Sequence, residues 1–447
     1  MSQSISEQSL GNQKDDDALG WMYDKITGEE DARVCKDIPD SACRHQPRNF
    51  FGYLAGNTFS KMADELSSAR LILPWLFAAL GAPMALVGFL VPIREAGVLM
   101  PQLLVAALVR SRPRRKGVWM LGAVLSAIAL LMMAVVALTL EGFVAGLCLL
   151  VLLVIYSLAR GLCSVAAKDV LGKTVSKTRR GTLMGYSSGV SGLLVLVLGL
   201  GLMFWPELKQ NAALLGVFLL VAALCWGVGL LGFAFIREQA GSTEGGGNAF
   251  QVAVSQLALL RSDQDFRRFV WARALLLSLA LAPPFYVVLV QQQGGSWLGL
   301  GALLMLSGLA ASCSGPLWGR LSDRSSRWVM ALAASGAALA GLGLWLSTLV
   351  LGNDAISPLL VASLYFLVMV CHGGVRLGRK AYLVDLANAD NRAAYVAVSN
   401  TVIGGLMLLA GVIGVLGDLW GPATVLGFLG CVAVLAVIQV LRLPEVE

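Results

Sequence analysis

The sequence predicts an all-α membrane protein whose twelve transmembrane helices form two pseudo-symmetric six-helix bundles. Hydrophobic residues make up 57% of the 447 residues and charged residues only 14%, whereas a soluble domain has about 25% charged residues. The mean hydropathy is +0.75. Apolar windows of about 20 residues, the length that a helix needs to cross the bilayer, recur along the chain in a way that the shorter strands of a β-barrel would not produce.

The apolar windows place the predicted helices, α1 to α12, with boundaries accurate to several residues. They cover residues 55–80, 85–109, 118–139, 143–166, 182–204, 212–236, 268–291, 297–319, 328–350, 357–378, 395–417 and 421–441. Residues 237–267 contain the glycine-rich run GSTEGGG and predict a cytoplasmic linker. The linker divides the chain into an N-terminal bundle, 50–236, and a C-terminal bundle, 268–447.

Residues 1–49 form a separate acidic segment. They contain ten Asp or Glu residues against six Lys or Arg residues, and no apolar core. This composition predicts a disordered cytoplasmic tail. Because the segment has no apolar core, we expect no cleavable signal peptide in it. Cys35, Cys43 and His45 could contribute to a zinc site, but the set is incomplete and too widely spaced, so we expect no metal.

The cations of the connections are concentrated on one side of the predicted membrane. The basic connections follow α2, α4, α8 and α10, with Arg112, Arg114 and Arg115; Lys173, Lys177 and Arg180; Arg320, Arg324 and Arg327; Arg379, Lys380 and Arg392. The opposite connections contain almost no cation apart from Lys209. The positive-inside rule therefore predicts that both termini lie in the cytoplasm, at the cell (inner) membrane. The net charge of +7 reflects this sidedness and not a nucleic-acid-binding surface.

The two halves of the chain repeat each other at an offset near 212 residues. The segment RSRPRRKGVW after α2 corresponds to RLSDRSSRWVM after α8. In α4, Arg160 precedes Asp169 by nine residues, and in α10, Arg376 precedes Asp385 by nine. Parallel six-helix repeats with a central site at their interface are typical of one class of secondary transporters.

The loop between α8 and α9 carries a signature that resembles the major facilitator superfamily. Its residues are a glycine, an Asp-Arg pair and a further arginine: Gly319, Asp323, Arg324 and Arg327. The turn LGAPMALVG between α1 and α2 and the Arg160-Gly161 pair of α4 are similar to further superfamily motifs. The resemblance covers about residues 50–442 and implies alternating access, with Asp323, Arg324 and Arg327 as gating residues. Antiport is not implied, because α5 lacks the proline of the antiporter motif.

A cluster of polar and charged residues at the start of the apolar region is the candidate site. Its members on α1 share one helical face, and the others lie on or beside the following apolar run. They are Asn57, Lys61, Asp64, Glu65, Arg70, Arg94 and Glu95. An ionisable side chain at the bilayer centre costs about 3 kcal/mol, so these groups must face one another or a wet cavity. Three cations balance three acids, as a paired internal site requires.

Helices α4 and α10 contribute polar residues to the same interior. One face of α4 carries Tyr156, Arg160 and Ser164, and one face of α10 carries Tyr365, His372, Arg376 and Lys380. Arginine is a planar donor suited to carboxylate or phosphate, so one arginine from each half favours an anionic or zwitterionic solute.

Proton coupling would need an acid inside the membrane, and the predicted α7 and α8 contain none. Any such acid must be Asp64, Glu65 or Glu95, and the alternative is that these acids only neutralise neighbouring cations. A second alternative concerns α1, since residues 50–66 could lie on the membrane surface as an amphipathic helix. The register of the repeat favours a position inside the membrane.

We therefore predict a secondary active transporter of a small organic solute, with proton coupling as a further hypothesis. We expect a monomer in contact with membrane lipids. The sequence has no phosphate-binding loop and no zinc-protease signature, so we expect no enzyme activity, cofactor or nucleic-acid partner. The alternative is a non-transporting protein of the same fold, a membrane assembly factor or lipid-handling scaffold, in which the charges are closed into ion pairs and line no solute-accessible cavity.

Overall fold

The computed structural model describes residues 19–23, 25, 43–100, 102, 105, 109, 111–203, 212–241, 257–292, 299–322, 324–352, 356–387 and 392–446. These residues form helices, turns and loops, with no strand among them. Ten of the described helices are long and apolar enough to cross a membrane. They correspond to α3–α12, and they confirm the predicted all-α membrane class.

The ten long helices lie close to their predicted positions. Their bounds are Lys116–Thr139 (α3), Gly142–Thr174 (α4), Lys177–Met203 (α5), Ala212–Phe235 (α6), Gln264–Leu275 with Leu277–Leu281 and Pro283–Gln292 (α7), Leu300–Ser322 (α8), Ser326–Leu351 (α9), Pro358–Leu386 (α10), Arg392–Ala410 with Gly414–Trp420 (α11) and Pro422–Leu441 (α12). Helix α7 begins before residue 268 because the Asp263 side chain accepts hydrogen bonds from the backbone N–H groups of Asp265 and Phe266, which caps the helix.

Helices α1 and α2 differ from the prediction because each is broken into two segments. The segments are Gln46–Leu66 and Ile72–Ala79 in α1, and Met84–Val87 and Leu90–Leu99 in α2. In the break of α1 the backbone N–H of Arg70 donates to the Ser68 hydroxyl at 3.3 Å, and Pro74 has no N–H with which to bond the carbonyl of Arg70. Since neither broken helix is among the ten long ones, the predicted count of twelve rests on ten continuous or nearly continuous spans and two broken ones.

The first segment of α1 packs inside the N-terminal bundle and does not lie on its surface. A Cβ atom at Gly52 would lie 2.8 Å from the carbonyl oxygen of Gly232 in α6, and one at Gly56 would overlap the Phe233 ring. Small residues permit this close approach of two membrane helices. The alternative of an amphipathic surface helix over residues 50–66 is therefore wrong.

The two halves contact each other at the helix ends beside the α1–α2 and α11–α12 loops. The Asp418 carboxylate, at the end of α11, accepts hydrogen bonds from the backbone N–H groups of Met84 at 2.7 Å and Ala85 at 2.8 Å. A Cβ atom at Gly88 would lie 2.7 Å from the Gly414 backbone. These contacts join the two halves on the side that the cation distribution predicts to be external.

The predicted domain boundaries fall partly outside the described residues. Helix α1 begins at Gln46, within the predicted tail 1–49, and α7 begins within the predicted linker 237–267. Residues 1–18, 26–42 and 242–256 are not described, so the division into tail, bundles and linker stays a prediction. Cys43 is disulfide-bonded and offers no free thiolate; Cys35 is not described. The described residues contain no group of three or more His, Cys, Asp or Glu that could hold a metal ion.

Candidate functional site

Asp64 is the centre of an ion-pair network between α1, α2 and α4. Its carboxylate accepts from Arg94 at 2.8 Å and from Arg160 at 2.6 Å, and the Tyr156 hydroxyl donates to it at 2.8 Å. The Arg94 guanidinium also lies over the Tyr156 ring, 5.2 Å from its centroid. The network unites four residues that the sequence predicted for the site.

Glu95 forms a separate ion pair with Arg70, at 2.7 Å. Arg70 lies in the break between the two segments of α1, where the chain can bring its guanidinium toward α2. Glu95 does not pair with its neighbour Arg94, because successive residues of a helix project about 100° apart. The two adjacent charges therefore serve different partners.

Asn57 and Lys61 connect α1 with α5. The Asn57 amide donates to the Ser187 hydroxyl at 2.9 Å, and the Lys61 ammonium donates to the Ser188 hydroxyl at 2.6 Å. Lys61 lines a cavity of about 860 Å³ between α5 and α8, whereas Asn57 lies outside it. Both residues lie one to two turns from Asp64 and are not part of its network.

A cavity of about 360 Å³ lies between the two halves and contains most of the predicted site. The N-terminal half contributes residues of α1, α2 and α4, and the C-terminal half contributes residues of α8 and α10. Glu65, His372 and Arg376 line it, and the side chains of all three have no hydrogen bond or ion pair to the described residues. Glu65 and Arg376 also line the larger cavity between α5 and α8, so the two cavities adjoin.

The charges that line the central cavity do not balance. Four arginines, Arg70, Arg94, Arg160 and Arg376, face three acids, Asp64, Glu65 and Glu95, which leaves one positive charge in excess when all are ionised. Within low-dielectric walls such an excess attracts anions and repels cations. The sequence predicted three cations against three acids; the excess appears because α4 and α10 add an arginine each while Lys61 faces α5.

The predicted gating residues are only partly described. Asp323 lies outside the described residues, and the Arg324 side chain is exposed. Arg327 donates to the carbonyl oxygen of Leu443 at 2.9 Å and pairs with the Glu445 carboxylate. It therefore holds the C-terminal segment, and the gating role of the three residues stays a prediction.

The structure adds polar residues that the sequence did not single out as site residues. Tyr365 of α10 and Ser307 and Ser314 of α8 line the central cavity. Helical spacing had already placed Tyr365 on the face of α10 that carries His372 and Arg376, although it was not named as a site residue. Serines on an apolar helix give no such signal. Outside the cavity, Arg273 of α7 is only 6% exposed and donates to Ser399 of α11 at 2.5 Å. Its position as a cation inside an apolar run could have identified it from the sequence.

Comparison with known proteins decides the family. The family model of the Major Facilitator Superfamily matches residues 57–404, which include both halves of the cavity. The chain belongs to the Major Facilitator Superfamily. It is therefore a multi-pass membrane protein of a transporter family. A search of curated proteins finds no significant match.

Solved structures show the same fold at low sequence identity. The chain is similar to the nucleoside transporter NupG, with a TM-score of 0.68, 12% identity and coverage of 88% of this chain and 99% of that chain. It is similar to a POT family transporter in complex with a thioalcohol conjugated peptide, with a TM-score of 0.67, 15% identity and coverage of 92% and 98%. For the xylose transporter XylE from E. coli, the TM-score is 0.60, the identity 14% and the coverage 89% and 100%. One fold carries many solutes, so these likenesses do not name the solute of this chain.

Proposed function

We propose that this chain is a secondary active transporter that moves a small organic anion by alternating access of the central cavity. The observation that carries the proposal is the cavity between the two halves, lined by four arginines against three acids, where Arg376 has no ion pair with any described residue. An anion bound at Arg376 would lie in a cavity that residues of both halves line. Binding can then bias the relative position of the halves, as alternating access requires.

The unpaired charges favour a transporter over a scaffold. A scaffold would have its intramembrane charges closed into ion pairs, and Asp64 and Glu95 satisfy that expectation. Glu65 and Arg376 form no ion pair with the described residues. Burial of either charge in an apolar interior without a partner would be unfavourable. Their exposure to a cavity of solute size supports a role in binding.

Among the three acids, we assign proton coupling to Glu65. Protonation of Asp64 would weaken its bonds to two guanidinium groups, and protonation of Glu95 would leave Arg70 unpaired. Glu65 can take up a proton without losing a described contact. The charged groups that act on it are Asp64, Arg70, Arg94 and Arg376, so its charge would respond to an anion that arrives at Arg376.

A solved structure of the same fold supports proton coupling, and the cation asymmetry supports the orientation in the membrane. A D-xylose-proton symporter is similar to this chain, with a TM-score of 0.58 and 14% identity, so the fold is compatible with proton coupling. We further propose that both termini face the cytoplasm of the cell (inner) membrane and that the protein acts as a monomer. With that orientation, the contact of Asp418 with Met84 and Ala85 lies on the external side.

The test uses the purified full chain in proteoliposomes. A thermal-shift screen of organic anions selects a bound solute, and an inward proton gradient should then drive its accumulation. Glu65→Gln should keep solute exchange and lose gradient-driven accumulation, because a permanently neutral group cannot carry protons. Glu141→Gln, an exposed acid at the start of α4, is the matched control and should accumulate solute normally. Absence of exchange for every bound anion would contradict transport; normal accumulation in Glu65→Gln would remove this residue from coupling.

A further inference from the structure

We propose that the solute carries neutral hydrogen-bonding groups, such as hydroxyls, beside its anionic group, and that His372 and Tyr365 recognise them. The inference rests on the proposed function, because it describes the second part of a solute whose first part binds Arg376. We call the two side chains and the adjacent Ser307 the neutral subsite.

The members of the neutral subsite on α10 are buried polar groups without partners. His372 is 8% exposed and Tyr365 0%. Both ring nitrogens of His372 and the hydroxyl of Tyr365 have no hydrogen-bond partner in the described part of the chain. Ser307 of α8 is the polar side chain beside the Tyr365 hydroxyl. All three residues line the central cavity.

Buried polar groups in native proteins nearly always have a partner, so this concentration at one cavity wall needs a reason. The charged groups around His372 are Arg70, Arg376 and Arg379. Guanidinium groups only donate hydrogen bonds, so none of them can accept from an imidazole N–H. A solute hydroxyl both donates and accepts, and it can therefore satisfy either nitrogen of the neutral imidazole and the tyrosine hydroxyl.

The position of the subsite on α10 places it next to the anion site. His372 and Arg376 are four residues apart, about one turn or 6 Å along the helix. Tyr365 lies about two turns beyond His372, towards the N-terminus of α10. A carboxylate at Arg376 therefore brings hydroxyls on the adjacent carbons toward His372. The solute class is a hydroxylated carboxylate, and a simple alkyl carboxylate would leave the buried groups unpaired.

The physical consequence is discrimination between solutes of equal charge and length. An analogue that fails to pair a buried hydrogen-bonding group loses about tenfold in affinity for each group left unpaired. We therefore expect selection by hydroxyl content of at least tenfold.

Three six-carbon probes separate the two parts of the solute: D-gluconate has a carboxylate and hydroxyls, hexanoate has the carboxylate alone, and D-sorbitol has hydroxyls alone. Titration calorimetry on the purified full chain should show D-gluconate binding at least tenfold more tightly than either of the others. His372→Phe and Tyr365→Phe should each weaken D-gluconate about tenfold and leave hexanoate unchanged. Tyr382→Phe is the matched control, because that hydroxyl lies on the same helix but donates to the Pro444 carbonyl oxygen at 2.9 Å outside the cavity.

The outcomes distinguish this inference from the proposed function. Equal affinity for D-gluconate and hexanoate, or an equal loss of both in His372→Phe, overturns the neutral subsite and leaves anion transport intact. Equal affinity for D-gluconate and D-sorbitol contradicts the anion site and leaves the neutral subsite in place. Failure of all three probes to bind at millimolar concentration overturns the inference, while transport is decided separately by the proteoliposome assay.

Discussion

Replacement of Asp64 by asparagine would remove the negative charge that holds the guanidinium groups of Arg94 and Arg160 together. The substitution keeps the size of the side chain, so its effect is electrostatic. Arg94 and Arg160 would remain as two like charges on one partner, and the Tyr156 hydroxyl would lose a charged acceptor.

The burial of the network sets the expected magnitude. Removal of one partner from a buried ion pair costs about 3–5 kcal/mol. The side chains of Asp64, Arg94 and Arg160 are 23%, 18% and 17% exposed, so water in the cavity screens part of the effect. We therefore expect a loss of about 3 kcal/mol in the free energy of unfolding, at the lower end of that range.

Reversible unfolding in mixed detergent micelles measures the change. Asp169→Asn is the matched control, because Asp169 also pairs with an arginine, Arg115, at 3.2 Å but is 38% exposed; such a pair contributes about 0–1 kcal/mol. The double variant Asp64→Asn with Arg94→Gln should recover part of the loss, since it removes one of the two like charges. A loss in Asp64→Asn no larger than in the control would refute the ion-pair network as a determinant of stability.

Three further outcomes follow from the ion pairs and from the contact between the halves. Glu95→Gln should destabilise the chain, and Arg70→Gln should rescue it whereas Arg94→Gln should not; rescue by Arg94→Gln in a thermal melt would contradict the observed pairing. Asp418→Ala should widen the distance distribution between spin labels on the α1–α2 and α11–α12 loops, and an unchanged distribution would show that the contact does not hold the two halves together. A cysteine at position 418 should be labelled from outside intact cells and one at position 112 should not; the reverse pattern would invert the proposed orientation.

Much of the fold could be predicted from the sequence because apolar length and cation asymmetry are local properties. The ten long helices were found in this way, and they lie within a few residues of their predicted positions at most ends. The break in α1 was not predicted, since residues 55–80 read as one apolar window. At the break the Ser68 hydroxyl accepts from the backbone N–H of Arg70 at 3.3 Å, and Pro74 has no N–H to donate to the Arg70 carbonyl; a hydropathy window registers neither feature.

The candidate site could be predicted in membership but not in pairing. The cost of charges in lipid required Asp64, Glu65, Arg70, Arg94 and Glu95 to lie together, and the structure brings them to one cavity region. Which charge meets which depends on helix rotation and on the break at Arg70. For the same reason, the sequence could not show that, of the three cavity acids, Glu65 has no ion pair with a described residue.

By itself, the sequence determined that this protein is a helical membrane protein of two repeated halves with a charged interior, because the bilayer penalises any other arrangement of such residues. Only the tertiary structure decided that the Asp64 and Glu95 pairs are closed while Glu65, His372 and Arg376 line a cavity with no partner in the described part of the chain. The physical reason is that side-chain pairing operates over about 3 Å between helices that are distant in the chain. Helical periodicity places a residue on a face, but the packing of the neighbouring helix determines what that face meets.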